Sequence, residues 1–224
     1  MNAQDLNKQK AAAFATRYIE DGMVVGLGTG STVAFFLDAL AEKNLNITGV
    51  TTSNRTAARS AELGIKIVDI DEVDHIDVTV DGADEVDAYL NGIKGGGAAL
   101  LMEKIVAKNS TKNIWIVDES KVKPVLGSFP LPVEVVPYGS GQLAKKLASF
   151  GLNPKLRVNA AGETVVTDGG HFILDLNLSA IDNPFGLSEM LNQEIGVVEH
   201  GLFLGIANTV IIGGDEIQVK ERRH

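Results

Sequence analysis

The 224-residue chain contains no cysteine, which excludes disulfide bonds and thiolate metal sites. It has no run of 18 or more apolar residues, so the sequence predicts no membrane-spanning helix. Its first residues, "MNAQDLNKQK", lack the basic-then-apolar order of a secretory signal peptide. From these absences we expect a cytoplasmic protein.

Basic residues are in the minority, because 20 lysines and arginines stand against 29 acids for a formal net charge of −9. Nucleic-acid binders usually carry a basic balance or a basic stripe, so we expect no nucleic-acid partner. An acidic protein that binds an anion must do so locally, with backbone N–H groups and a few lysines. The 24 glycines are therefore informative, since they cluster where strands are predicted to end.

Strand and helix patterns alternate over roughly the first 120 residues, which predicts a Rossmann-like, doubly wound, mostly parallel sheet in an α/β fold. Four of the six prolines lie between Pro124 and Pro137 and mark a change of pattern. The following order of strand, helix, strands and helix predicts a smaller α+β domain of the ferredoxin-like, split β-α-β type. The predicted domains are residues 1–127 with 205–224, where the chain could rejoin the first sheet, and residues 128–204.

The motif "GLGTGST" follows a predicted strand, Met23–Leu27, and opens a predicted helix that Ser31 or Thr32 could cap. Its glycines, including Gly28 and Gly30, would let a ligand approach the backbone, and a helix N-terminus favours an anion. The motif therefore predicts a phosphate site. A tight turn without a ligand is the alternative.

Nucleotide cofactors fit the sequence poorly. The second strand ends in Thr52-Ser53-Asn54 rather than in the acid that would bind an NAD ribose. Arg55 leaves NADP open, and the absence of G-x-x-x-x-G-K-[ST] makes ATP an unfavoured ligand.

The segment "VTVDGADEV" places Asp81 and Asp84 just beyond the carboxyl end of a predicted strand, where open α/β sheets bind ligands. These carboxylates could hold hydroxyl groups, relay protons or bind a metal ion. The four histidines are scattered without H-x-H or H-x-x-E-H spacing, so hydroxyl binding is favoured over a metal. A helix cap with one solvated acid is the alternative.

The segment "KGGGAALLMEKI" runs from Lys94 through three glycines into a predicted helix that carries Glu103. The helical neighbours of Glu103 three and four residues away are uncharged: they are Ala99, Leu100, Val106 and Ala107. A carboxylate buried without an ionic partner tends to have a raised pKa, which suits a general base near neutral pH. Lys94 beside the glycine N–H groups could stabilise an oxyanion. A distant ion pair is the alternative for Glu103.

Lys121 follows another predicted strand and could reach an anionic ligand, although a solvated lysine is an equally good interpretation. The same two interpretations, an anion-binding residue or a solvated one, apply to Lys8, Lys10 and Arg157. We interpret His75 and Trp115 as structural residues.

Together, "GLGTGST", "DGADE", "KGGGAAL…EKI" and "DESK…LGSFPLPVEVVP" resemble the type A family of ribose-5-phosphate isomerases in content and order. The resemblance implies interconversion of D-ribose 5-phosphate and D-ribulose 5-phosphate in the pentose phosphate pathway, without metal or organic cofactor, by homodimers or homotetramers. It implies Glu103 as the proton acceptor. The substrate-binding residues that it implies, with the phosphate loop extended to Gly28, are Gly28, Thr29, Gly30, Ser31, Thr32, Asp81, Gly82, Ala83, Asp84, Lys94, Gly95, Gly96, Gly97 and Lys121.

Three rival functions remain at this point. A sugar-phosphate sensor would use the same phosphate loop but would not need Glu103. A hexosamine-phosphate isomerase or deaminase would be expected to use a histidine near these loops. An NADP-dependent reductase would consume a nicotinamide cofactor, which absorbance at 340 nm would reveal.

Overall fold

A computed structural model describes residues 2–222. Arg223 and His224, which end the predicted first domain, lie outside the described residues. Contacts between Cα atoms divide the chain into two units. The first contains the residues up to Ala83, Met102–Val122 and the residues from Gly205 on, and the second contains Asp84–Leu101 and Lys123–Leu204.

The regular elements of the described chain alternate along most of its length. The helices are α1 (Ala3–Ala15), α2 (Ser31–Ala41), α3 (Asn54–Glu62), α4 (Leu100–Lys108), α5 (Ser140–Ser149) and α6 (Pro184–Asn192). The strands are β1 (Val24–Leu27), β2 (Thr48–Thr51), β3 (Lys66–Ile67), β4 (Ile76–Asp81), β5 (Glu85–Val86), β6 (Gly92–Ile93), β7 (Ser110–Asp118), β8 (Leu131–Val135), β9 (Pro154–Leu156), β10 (Phe172–Leu176), β11 (Val197–His200), β12 (Leu202–Phe203), β13 (Thr209–Gly213) and β14 (Gln218–Glu221).

The first unit is built on a sheet with the strand order β3-β2-β1-β4-β7-β13-β14. Its neighbouring strands are parallel, except that β14 pairs antiparallel with β13 at the edge. The order of the six parallel strands is that of the Rossmann fold. The predicted doubly wound, mostly parallel sheet is thus confirmed, and the C-terminal strands rejoin it.

The sheet of the first unit has apolar side chains on both faces. Val25 and Leu27 of β1 belong to the large buried cluster that also contains residues of α1 and α2. The preceding residue, Val24, packs instead with Val106 of α4 in a second cluster. Because successive side chains of a strand point to opposite faces, the helices cover both sides of the sheet.

The second unit contains a four-stranded antiparallel sheet with the order β11-β8-β10-β9. Helix α5 connects β8 to β9, and α6 connects β10 to β11, which gives the split β-α-β arrangement expected from the sequence. Val133 and Val135 of β8 pack against Leu143 and Leu147 of α5 in its core.

Residues 84–101 group with the second unit, whereas the sequence prediction placed them in the first domain. The reason is a small antiparallel sheet in which β6 pairs with both β5 and β12, and β12 lies at the end of the second unit. The predicted boundaries, 1–127 with 205–224 and 128–204, stay a prediction.

The N-terminal helix α1 contains 13 residues. It ends at Ala15 and continues as a short 3₁₀ helix, Thr16–Tyr18. In the described part of the chain, no helix is long and apolar enough to cross a membrane.

Candidate active site

The first candidate residues lie where the strand order of the first unit reverses. Strand β1 pairs with β2 on one side and with β4 on the other, so the chain turns in opposite directions from this point. Ligands of open α/β sheets bind beyond the carboxyl ends of the strands at such a switch point. The loop Gly28–Thr32 follows β1, and Asp81 ends β4, so both lie at this edge.

Asp81 fixes the loop after β1. Its Oδ1 atom accepts hydrogen bonds from the backbone N–H groups of Thr29, at 3.0 Å, and Gly82, at 2.7 Å. A Cβ atom at Gly28 would lie 2.0 Å from the same oxygen, so only glycine fits there. Asp81 is 2% exposed, and this position makes it a support of the loop as well as a candidate ligand.

Helix α2 begins without a side-chain cap. Its N-cap is Gly30, at a φ of +125°, so the prediction that Ser31 or Thr32 caps the helix was wrong. The chain needs a positive φ at this turn, which glycine adopts readily and serine or threonine does not. Ser31 and Thr32 are instead the first two helical residues, and the first-turn N–H groups receive no hydrogen bond from a capping side chain. This arrangement favours an anion.

A hydroxyl network supports the same loop. Thr29 Oγ1 lies 2.8 Å from Thr52 Oγ1, 2.8 Å from Ser53 Oγ and 3.3 Å from Thr56 Oγ1. Thr56 also donates to the carbonyl oxygen of Gly28 at 2.8 Å. These hydroxyl residues were not among the predicted site residues, because an acid is the usual ribose ligand at the end of β2. The hydroxyl-rich stretch "TTSN" was the available signal.

Two lysines of α1, which the sequence left equivalent, occupy different positions. Lys8 Nζ lies 3.2 Å from Ser31 Oγ, at the start of α2. Lys10 Nζ instead donates to the carbonyl oxygen of Gly214 at 3.0 Å. Lys8 therefore brings a positive charge to the N-terminus of α2, whereas Lys10 ties α1 to the loop after β13.

Lys121 and Glu103 also belong to the first unit. Lys121 ends a short 3₁₀ helix, Glu119–Lys121, directly after β7, at the same carboxyl edge of the sheet as Asp81. Glu103 lies in the first turn of α4 and is 4% exposed. A carboxylate in the first turn of a helix is stabilised by the helix dipole.

The second unit holds Asp84 and the glycine loop. Asp84 Oδ2 accepts a hydrogen bond from the N–H of Gly96 at 2.8 Å. Lys94 is 3% exposed, its N–H donates to the carbonyl of Gly201 at 2.9 Å, and its Nζ lies 5.3 Å from the centre of the Phe203 ring. The aromatic face stabilises the ammonium group at this position.

Apart from Glu103 and Lys121, most of the predicted site residues fall into two groups. In the first unit, the structure brings together the loop after β1, Asp81 and Gly82. In the second unit, it brings together Asp84, Lys94 and the glycines Gly95–Gly97. Over residues 2–222, no group of three or more histidine, aspartate or glutamate side chains is placed to hold a metal ion.

The sequence of the chain is similar to that of one known protein family. A sequence model of the family "Ribose 5-phosphate isomerase A (phosphoriboisomerase A)" matches residues 48–217. The chain belongs to the ribose 5-phosphate isomerase A family. Ribose-5-phosphate isomerase A of Bifidobacterium longum (strain NCC 2705) is 58% identical over 214 residues, covering 94% of this chain and 92% of the relative. The Levilactobacillus brevis protein of the same name is 56% identical over 203 residues, covering 89% of each.

Solved structures of ribose 5-phosphate isomerases have the same fold. A D-ribose-5-phosphate isomerase in complex with phospho-erythronic acid superimposes with a TM-score of 0.95 at 42% identity, covering 99% of this chain and 100% of the other. Ribose 5-phosphate isomerase A from Neisseria gonorrhoeae gives a TM-score of 0.94 at 37% identity, with full coverage of both chains. The whole described architecture, including the smaller second domain, is therefore that of the ribose 5-phosphate isomerase A family.

Proposed function

We propose that this chain is an aldose–ketose isomerase that interconverts D-ribose 5-phosphate and D-ribulose 5-phosphate by proton transfer through an enediolate. The observation that carries the proposal is the buried carboxylate of Glu103 in the first turn of α4, in a chain that matches ribose-5-phosphate isomerases over 94% of its length. An acid taken out of water suits a general base, because the proton it accepts removes a charge that burial disfavours.

The phosphate group is assigned to the loop Gly28–Thr32. The first turn of α2 has no side-chain cap, so its N–H groups can donate to phosphate oxygens. Lys8 adds a positive charge beside Ser31, and Lys121 lies at the same edge of the sheet. This arrangement explains how a chain with a net charge of −9 can hold an anion.

The proton transfer is assigned to Glu103. Its carboxylate removes the proton from C2 of the open-chain aldose, and the electron pair forms the C1–C2 double bond while the C1 carbonyl oxygen becomes negatively charged. Glu103 then returns the proton to C1, while the proton of the C2 hydroxyl is transferred to the C1 oxygen, so that C1 carries the hydroxyl and C2 becomes the ketose carbonyl. Lys94 and N–H groups of the glycine loop are assigned to the developing negative charge.

Asp81 and Asp84 are assigned to the sugar hydroxyl groups and to opening of the furanose ring. One oxygen of each carboxylate accepts hydrogen bonds from a loop N–H, which fixes the orientation of both side chains. A fixed carboxylate can select a hydroxyl geometry at little entropic cost on binding.

The direct test is to mix the purified chain with D-ribose 5-phosphate and excess EDTA and to assay the ketose. We expect ribulose 5-phosphate to accumulate to the isomerisation equilibrium. Binding of the sugar phosphate without any ketose would contradict the proposal and would favour the sensor function. A homodimeric or homotetrameric assembly and a cytoplasmic location stay predictions.

A further inference from the structure

Arg157 has no role in the proposed reaction so far, but its side chain makes four hydrogen bonds. Its Nε and Nη2 atoms bind both carboxylate oxygens of Asp175, at 2.8 and 2.5 Å. Its remaining nitrogen, Nη1, donates to the carbonyl oxygens of Gly95, at 2.8 Å, and Gly96, at 3.2 Å. One guanidinium group therefore joins β10 to the glycine loop that follows Lys94, within the second unit.

These contacts fix the direction of particular N–H groups. In a trans peptide, the C=O of one residue and the N–H of the next point in opposite directions. The peptide group between Gly95 and Gly96 is held at both ends, because its C=O binds Arg157 and its N–H binds Asp84. In the next peptide group, the C=O of Gly96 binds Arg157, so the N–H of Gly97 must point away from Arg157.

The glycine loop cannot acquire this rigidity from its own side chains. A Cβ atom at Gly96 would lie 2.6 Å from Asp84 Oδ1, and one at Gly95 would lie 2.8 Å from Leu100 Cδ2. Gly95 also has a φ of +103°, which other residues rarely adopt. Three successive glycines lose more conformational freedom on ordering than any other residues would. The hydrogen bonds that Arg157 donates to the loop offset that cost.

We propose that Arg157, held by Asp175, is a positioning residue that presets the N–H of Gly97 as a donor to the negatively charged oxygen of the enediolate. The inference rests on the proposed isomerase function and adds a positioning residue to it. Preset donors stabilise charge that develops in the transition state more than they stabilise the bound substrate. Among residues 2–222, the N–H of Gly97 donates no hydrogen bond to the protein, so it is available for this purpose.

The geometry requires an arginine. The planar guanidinium offers five N–H donors, of which two bind the carboxylate and two others suffice for the two carbonyl groups. A lysine keeps the positive charge but offers one ammonium group, which cannot bind both carboxylate oxygens and both carbonyl oxygens in one plane. Arg157→Lys therefore separates positioning from charge.

The experiment compares Arg157→Lys with the unaltered chain in ribose 5-phosphate turnover and in inhibition by phospho-erythronic acid. This acid carries a carboxylate at the end where the enediolate carries its charge. We expect kcat to fall roughly 10- to 100-fold, because small misplacements of catalytic groups cost rate on this scale. We expect KM to change less than about threefold, and the inhibition constant to rise by about the factor lost in kcat/KM.

Arg59→Lys is the matched control, because Arg59 also binds a carboxylate, that of Asp38 at 2.6 Å, on the surface of the first unit. We expect its kinetic constants to stay those of the unaltered chain. Asp175→Asn is the second variant, and it should shift kcat in the same direction as Arg157→Lys, but by less. If thermal melting shows that Arg157→Lys does not fold, the kinetic constants of Asp175→Asn test the positioning role instead.

A purely structural role predicts a different result. In that case, Arg157→Lys and Asp175→Asn would lower the melting temperature while kcat per folded molecule and the inhibition constant stayed unchanged, and the inference would be overturned. Failure of the unaltered chain to form any ketose would instead overturn the proposed function, and this inference with it. The two failures are therefore distinguishable.

Discussion

At the scale of single residues, similar side chains have different environments. Glu103 is almost fully buried in the first turn of α4, whereas Glu189 of α6 is exposed. Both are helical glutamates, but only a buried one is held at low dielectric, where a charge interacts strongly with nearby groups. Burial and position at a helix start therefore distinguish a candidate base from a solvated acid.

Replacing Glu103 by glutamine should remove the proton acceptor and keep the shape of the side chain. We expect kcat to fall by roughly 10²–10⁴-fold, the usual contribution of a general base, while the sugar phosphate still binds. Steady-state kinetics and calorimetric titration with ribose 5-phosphate measure the two effects. Glu189→Gln is the control and should leave both unchanged. Retention of more than about a tenth of the activity by Glu103→Gln would exclude Glu103 as the base.

The two lysines of α1 provide a second test. Lys8→Met should weaken phosphate binding and raise KM about tenfold, because a charge-assisted hydrogen bond is lost, while kcat stays within about threefold. Lys10→Met should leave KM unchanged, since Lys10 binds the carbonyl of Gly214. The affinity of each variant for inorganic phosphate alone gives the same difference without turnover. Equal effects of the two substitutions on KM would contradict the assignment of Lys8 to the phosphate site.

The sequence indicated the type of each candidate residue but not its contacts. Asp81 and Asp84 were predictable at the end of a strand because strand and loop patterns are local. Their bonds to Thr29 and Gly96 were not, since these partners lie 52 and 12 residues away in the chain. Arg157 was left open for the same reason, because its contacts with Gly95 span 62 residues.

At the scale of elements, the loop between β1 and α2 combines a close approach with an uncapped helix. Gly28 allows the backbone to lie against Asp81, and Gly30 allows the turn that starts the helix. The misassigned cap shows a limit of sequence patterns. Serine and threonine are common N-caps, but here the required positive φ at the N-cap position outweighs their preference.

Gly28→Ala tests the close approach in this loop. The added Cβ would lie 2.0 Å from Asp81 Oδ1, so the loop or the carboxylate must move. We expect KM for ribose 5-phosphate to rise, and overpacking to lower the free energy of unfolding by about 1–3 kcal/mol. Urea unfolding and steady-state kinetics measure the two quantities.

Gly141→Ala in α5 is the control for this substitution. No atom lies within 4 Å of its added Cβ, and alanine should stabilise the helix by about 0.5–1 kcal/mol. Normal KM and stability in Gly28→Ala would contradict the proposed tight packing of the loop against Asp81.

At the scale of the whole molecule, the alternation of elements was readable but their spatial order was not. The pattern of strands and helices predicts a parallel sheet, because parallel strands need crossover connections. The order β3-β2-β1-β4-β7-β13-β14 depends on pairings between distant segments, such as β7 with β13. The grouping of residues 84–101 with the second unit likewise follows from the pairing of β6 with β12.

The central claim for the molecule is that hydrogen moves between adjacent carbons as a proton. A base that holds the proton can exchange it with solvent, whereas a hydride shift keeps the hydrogen within the substrate. The deciding measurement is isomerisation of ribose 5-phosphate in D₂O with excess EDTA, followed by nuclear magnetic resonance of the ketose. The account predicts solvent deuterium at C1 of ribulose 5-phosphate. Transfer of the C2 hydrogen of the aldose to C1 of the ketose, without any incorporation of deuterium, would contradict it.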